Sequence, residues 1–288
     1  MILFRTKSVD QHLAKFAADV SRWSGQQIAF IIDERDGEKK VPPNTGKVSL
    51  TYSSCEKLGL YCPPDFAWRC GDYGLYLARK AYPEVSTFWL IESDVRFAGT
   101  KPAEFFSFFE SRDEEFLASY LKSPEVDWAW NDFILSKDFA KKKCFFPVCR
   151  LSARAIDHML STRQHHSTQW SRRRFWANDE GFVATTLIGS NFSHGDLNDF
   201  NRTFYDVSSF HFETIMDGSF PIQSSETVRL YHPVLFDDAL KIKKKRLATR
   251  KVKANVFVNA IRKFDQKIGM QGLARRKNSS LSWIPFTK

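Results

Sequence analysis

Ser86–Gly99, S-T-F-W-L-I-E-S-D-V-R-F-A-G, is the stretch on which the fold turns. Phe88-Trp89-Leu90-Ile91 is apolar at every position. It is too continuous for a half-wet strand and too short for an independent helix, so it predicts a buried central strand. The run ends in two carboxylates one residue apart, Glu92 and Asp94. Acids at the end of such a strand lie on the rim of the sheet, where open α/β folds place ligands. A regular strand would turn both to the same side. Adjacent carboxylates repel unless a cation lies between them. A divalent metal, and through it a diphosphate, is therefore the first hypothesis, against the plainer alternative of a capped strand end with solvated acids.

The flanks supply the rest of an α/β pattern. Ile2-Leu3-Phe4 predicts a first strand. Val9–Trp23 has helical spacing at Leu13, Phe16, Ala17, Val20 and Trp23, with Gly25 as its stop. Ile28–Ile32 is a second buried strand ending in Asp33, Val48–Leu50 a third, and a short helix is expected near Cys55–Leu60. Gly71 to Tyr82 predicts a helix stopped by Pro83. Strands alternating with helices over the first hundred or so residues imply a mainly parallel sheet.

Downstream, Glu104–Leu121 reads as one Phe-rich helix, Val126–Phe133 as an alternating strand, and Phe145–Leu151 as another strand. Ser152–Leu160 reads as a helix with Ser152 as N-cap. Arg163–Arg174 is expected to be a basic, His-rich connection. His165-His166 with Arg172–Arg174 would either grip an anion or form a solvated loop. Phe182, Val183, Thr186 and Leu187 mark a helix opened by Asn178-Asp179-Glu180, Gly189–Ser225 is loop-like, and Val228–Val234 is a late strand. From residue 237 the chain changes character. Lys241–Lys251 is strongly basic and Val252–Ile268 has amphipathic helical spacing, giving a division into 1–236 and a basic appendage, 237–288.

Composition narrows the classes. Of 288 residues, 43% are hydrophobic and 26% charged, values of an ordinary globular protein. The 27 Phe and 8 Trp are assigned mainly to the core. The net charge of +10 is concentrated in the tail, and permits phosphorylated ligands, nucleic acid or an anionic membrane without choosing among them. The tail has the composition of a membrane-surface anchor, with simple packing as its rival. Five cysteines at these spacings predict reduced thiols rather than a zinc site. With no apolar run long enough to cross a bilayer, the expectation is a cytoplasmic protein, peripheral to a membrane at most.

W-L-I-E-S-D-V-R-F resembles the D-x-D element of GT-A glycosyltransferases, in the form W-x-x-E-x-D-V-x-x-x-G. Trp89, Glu92, Asp94, Val95 and Gly99 match, with Glu in the first acidic place as a departure. Asn178-Asp179-Glu180 stands where the family has its x-E-D element, with the two acids exchanged, so the resemblance implies Glu180 as the base and Asp179 as its neighbour. At a helix N-terminus such a carboxylate would be kept ionised. His232, in Tyr231-His232-Pro233, stands where the family's C-terminal His completes the metal shell. The resemblance thus implies a GT-A-like mixed α/β sheet flanked by helices, with Mn²⁺ or Mg²⁺ on Asp94, Glu92 and His232. The donor would be a nucleotide sugar, UDP-linked by preference, and the acceptor a glycan or lipid-linked hydroxyl attacked with inversion. Asp33 and Asp72 are candidates for the nucleotide, with Trp68 or Tyr73 available to stack on a base; a turn for Asp33 and an N-cap for Asp72 are equally open readings. The family's Gly-rich acceptor loop is missing, since no glycine lies between Gly99 and Gly181. Pro147–Arg154, with Cys149 or Ser152 as the small residue, is the expected substitute. Two other classes remain. A nucleotidyltransferase would want a Gly-rich phosphate loop after the first strand, which Arg5-Thr6-Lys7 is not. A nucleic-acid module rests on the tail alone, without a finger, helix-turn-helix or RNP signature.

Overall fold

The computed structural model describes residues 1–135, 139–212, 214–219 and 226–249. Its elements begin with β1 (Ile2–Thr6), α1 (Gln11–Ser24), β2 (Ile28–Asp33), β3 (Gly46–Leu50), α2 (Tyr52–Glu56), α3 (Phe66–Arg69), α4 (Asp72–Ala81) and β4 (Thr87–Glu92). They continue with β5 (Arg96–Ala98), α5 (Ala103–Glu110), β6 (Phe116–Lys122), β7 (Lys143–Ser152), α6 (Ala153–Ser167), α7 (Trp170–Arg174), α8 (Asp179–Gly189) and β8 (His194–Asp196). Short strands β9 (Met216–Asp217), β10 (Arg229–Tyr231) and β11 (Val234–Leu235) follow.

The expected mainly parallel, mixed sheet is present. Its order is β3-β2-β1-β4-β7-β6-β8, with β7 antiparallel to both neighbours. β1, β2, β3 and β4 are mutually parallel, so their C-terminal ends share one rim. Burial of both faces explains the apolar runs Ile2–Phe4, Ile28–Ile32 and Phe88–Ile91. On β1, Leu3 packs in one apolar cluster while Ile2 and Phe4 pack in the other. α1 lies within two residues of the predicted Val9–Trp23, its ends set by local chemistry. Asp10 accepts the Leu13 N–H at 2.7 Å, and Gly25 closes the helix at φ 65°.

Three expectations fail for tertiary reasons. The predicted helix Glu104–Leu121 is a helix only to Glu110. The buried Arg150 side chain donates to the carbonyls of Phe109, Arg112 and Glu114, drawing off the carbonyls a longer helix would use. Phe116–Lys122 is then taken into the sheet between β7 and β8. Val126–Phe133 is no strand. Val126 is 93% exposed, and the segment is a series of turns with a 3₁₀ turn at Asn131–Phe133. The basic connection Arg163–Arg174 is largely helical, since α6 runs on to Ser167 and α7 follows.

Two compact units divide the chain, one of residues 1–216 and 221–234, the other of 217–220 and 235–288. In the second, residues 237–249 are helical. The amphipathic helix expected over Val252–Ile268 lies outside the described residues. No helix among the described residues is long and apolar enough to cross a membrane.

Candidate active site

The strand that carries Glu92 ends there, and a turn follows in which the Val95 N–H donates to the Glu92 carbonyl at 3.1 Å. Asp94 sits in that turn. Its backbone carbonyl accepts the Val234 N–H at 2.7 Å, while Tyr231 pairs with Arg96 across β10 and β5. These contacts bring His232 to the acids. Its Nε2 is 3.4 Å from Asp94 Oδ1 and 3.8 Å from Glu92 Oε2. One ligand atom from each of Glu92, Asp94 and His232 lies within 4.8 Å of the others.

The ring of His232 is fixed before any ligand arrives. Nδ1 lies 2.6 Å from the His211 carbonyl, a contact that requires the proton on Nδ1 and turns Nε2 to the acids. Phe145 and Phe210 pack on the ring. Burial opposes its protonation, yet the hydrogen bond and charge of Asp94 and the charge of Glu92 raise its pKa above the usual value. Two carboxylates and one imidazole suit Mn²⁺ or Mg²⁺ in chemistry, and a carbonyl on the far nitrogen, as His211 supplies to His232, is how metal-binding imidazoles are commonly oriented.

Arg5 was not singled out from the sequence. It ends the apolar run of β1 as Glu92 ends that of β4, and the parallel register sets the two side by side. Its Nη2 is 3.2 Å from Glu92 Oε1 and its Nη1 is 3.3 Å from Asp179 Oδ2. Burial works against the Arg5 charge, but Glu92 and Asp179 more than offset this and raise its pKa. Glu92 thereby has one oxygen on Arg5 and the other toward His232. Asp179 also accepts the Gly71 N–H at 2.9 Å. A Cβ at Gly71 would collide with both the Arg5 guanidinium and the Asp179 carboxylate, so this close approach requires glycine.

Asp179 and Glu180 open α8 as expected, with Asn178 as N-cap accepting the Gly181 N–H at 3.1 Å. Their ionisation is not as expected. Burial pushes Asp179 up to about 7 despite Arg5, and burial together with the Asp179 charge pushes Glu180 up to about 8. Desolvation here outweighs the helix terminus. The Glu180 side chain accepts from Asn178 Nδ2 at 3.2 Å.

The other predicted residues separate. Asp72 is fully buried, neither an N-cap nor open to a nucleotide. Arg163 Nε and Nη2 hold its two oxygens at 2.8 and 3.1 Å, and Tyr76 donates to it at 2.7 Å. Tyr73 is likewise fully buried and cannot stack on a base. Asp33 is at the rim end of β2, engaged by Arg35 Nε at 2.8 Å and Nη2 at 2.9 Å. Trp68 is 64% exposed. Pro147–Arg154 is no acceptor loop. It belongs to central strand β7 and the cap of α6, with Cys149 buried opposite Leu90 and Ser152 accepting the Ala155 N–H at 3.0 Å. His165 and His166 lie on α6, and burial pushes His166 down to about 3, so it offers no positive charge to an anion near neutral pH.

No protein-family model matches the sequence, and no curated protein matches it. Solved structures do. The galactosyltransferase LgtC, in complex with donor and acceptor sugar analogues, is similar over 68% of this chain and 72% of its own, at 11% identity and a TM-score of 0.42. Core-mannan synthase A of Aspergillus fumigatus, in its Mn/GDP form, is similar over 68% of this chain and 72% of its own, at 11% identity and a TM-score of 0.39. A glycosyltransferase involved in the glycosylation of the major capsid of PBCV-1 is similar over 68% of this chain and 80% of its own, at 11% identity and a TM-score of 0.37.

Proposed function

We propose that this protein is a metal-dependent glycosyltransferase, moving a sugar from a nucleotide-diphosphate donor to a hydroxyl of a glycan or lipid-linked acceptor. The observation that carries the reading is the convergence of Glu92, Asp94 and the tethered His232 at the rim of a parallel sheet. Bound by Asp94, Glu92 and His232, Mn²⁺ or Mg²⁺ would neutralise the charge that builds on the departing diphosphate.

The chain's own residues do the remainder. The His211 carbonyl holds the His232 ring in one tautomer. Arg5 holds one oxygen of Glu92 and fixes the carboxylate's orientation. Asp179, committed to Arg5 and the Gly71 N–H, positions the start of α8 and is a poor candidate for proton transfer. That leaves Glu180 to take the proton of the acceptor hydroxyl. A carboxylate with a pKa near 8 is a stronger base than an ordinary Glu and is still partly ionised at neutral pH. Asp33, at the rim end of β2, would reach a nucleotide only through or in place of Arg35, which holds both its oxygens. Attack by a hydroxyl activated in this way on the anomeric carbon gives inversion.

The test is a donor-hydrolysis screen across UDP-, GDP-, CMP- and dTDP-linked sugars with Mn²⁺, comparing the native chain with Asp94→Ala. Metal-dependent release of one nucleotide, lost in the variant, is expected. Equal hydrolysis in the variant would remove the site assignment.

A further inference from the structure

All five cysteines are free thiols, and the proposed donor site uses none of them. Cys55, Cys70, Cys144 and Cys149 are buried, whereas Cys62 is half-buried. Local structure brings Cys55 and Cys62 together. Cys55 lies on α2, which closes in a Schellman turn. The Gly59 N–H donates to the Glu56 carbonyl at 2.8 Å, the Leu60 N–H donates to the Cys55 carbonyl at 3.2 Å, and Gly59 takes a φ of 71°. Tyr61 then anchors the returning chain. Its N–H donates to Ser167 Oγ at 2.8 Å, its carbonyl accepts the Tyr73 hydroxyl at 2.5 Å, and its ring packs on Trp176. Cys62 Sγ, 3.8 Å from the Leu60 carbonyl, thereby comes against Cys55, and the two thiols share a hydrogen bond.

The pair is unequal. The hydrogen bond from Cys55 lowers the pKa of Cys62, while the same contact and burial raise that of Cys55. Cys62 is thus the sulfur that ionises first and that a small reagent can reach. Cys55 has no exposed surface, so its neighbour is the route to it. Burial pushes the Cys70, Cys144 and Cys149 thiols up and keeps them unreactive.

Cys62 also heads a segment whose far end enters the site. The Trp68 carbonyl accepts from Arg5 Nη2 at 3.4 Å, and the Gly71 N–H donates to Asp179 at 2.9 Å. We propose that Cys55 and Cys62 form a reversible disulfide by exchange with a small disulfide such as oxidised glutathione, and that this bond ties the head of the 62–71 segment to α2. The Cys62 thiolate, its proton given to water, attacks one sulfur of the reagent and expels the other as a thiolate, which water reprotonates. Cys55 then attacks the Cys62 sulfur, and its proton passes to the second glutathione thiolate as that leaves. Two protein thiols become one disulfide while one reagent disulfide becomes two thiols.

The full chain is equilibrated at several ratios of oxidised to reduced glutathione and quenched in acid, and its free thiols are blocked with N-ethylmaleimide in urea. Trypsin cuts after Lys47, Lys57 and Arg69, so Cys55 and Cys62 fall in separate peptides, 48–57 and 58–69, each with one cysteine, and Cys70 falls in a third. Mass spectrometry of the monomer should find 48–57 joined to 58–69. The link should be reversed by reduced glutathione, lost in Cys62→Ser and retained in Cys70→Ser. The map of the native chain decides the pairing whether or not a variant folds. Amide exchange over 65–71 should slow about tenfold on oxidation of the native chain. A stable glutathione adduct on 58–69, a bond from either peptide to Cys70, a bond between two chains, or thiols that all stay free would each overturn the proposal. So would pairing that forms only when oxidation is carried out in urea. Pairing that leaves exchange over 65–71 unchanged would overturn the tether.

Discussion

The guanidinium of Arg5 meets the carboxylate of Asp179 at 3.3 Å, across 174 positions of sequence. The same guanidinium holds Glu92. One cation therefore ties the strand that carries Glu92 to the helix that opens with Asp179 and Glu180.

Arg5→Met should leave the buried Asp179 and the half-buried Glu92 without their shared cation. The loss is about 3–5 kcal/mol, read as a lower urea midpoint, with metal affinity and turnover falling together. Arg5→Lys keeps the charge but cannot span both acids with a planar fork, so it should recover part of the stability and little of the activity.

Gly71→Ala tests the same junction from the backbone side. The added methyl must displace Arg5 or Asp179, so a destabilisation of about 1–3 kcal/mol is expected by analogy with overpacked cores. Turnover should fall further than stability alone accounts for. A folded, fully active Gly71→Ala would show that the approach of these groups is not needed.

Asp72 and Arg163 make a buried pair remote in role from the donor, whatever the early position of Asp72 suggests. Asp72→Ala should cost about 3–5 kcal/mol in chemical denaturation. At a temperature where the variant remains folded, its affinity for Mn²⁺ and UDP should match the native value. A selective loss of UDP affinity without destabilisation would return Asp72 to the nucleotide.

The Glu180 carboxyl titrates near 8 when folded and near the ordinary Glu value of about 4.3 when unfolded. Between those values the unfolded chain has released the proton and the folded chain retains it. This group's contribution to stability is therefore full below about pH 4 and is lost as pH rises through about 8. The metal-free protein should lose stability across that window, and Glu180→Gln should flatten the profile. With Glu180 as the base, the pH dependence of kcat/KM should have a rising limb that Glu180→Gln removes along with most of the activity.

The sequence showed what is local and missed what is tertiary. The strand Phe88–Ile91 was legible because burial on both faces leaves no polar position in it. The cap at Ser152 was legible because it acts within three residues; the caps at Asp10 and Asn178 act over the same span. The break at Glu110 was not, because Arg150, far along the chain, captures the carbonyls that end α5. Val126–Phe133 alternates as strands do, but no neighbouring strand pairs with it, and alternation without a partner makes no sheet. In the site, Glu92, Asp94 and His232 were read from their order along the chain, and the structure brings them together. Arg5 carried a visible signal, a charge at the end of an apolar run. Its meaning depended on the parallel register that sets it beside Glu92.

The most direct measurement is calorimetric titration of UDP into the protein with and without saturating Mn²⁺, repeated with Asp94→Ala. The account predicts that Mn²⁺ and UDP each tighten the other's binding in the native chain, by the same factor from either direction, and that this coupling is lost in Asp94→Ala. UDP binding that is indifferent to Mn²⁺, or coupling that survives in Asp94→Ala, would contradict it.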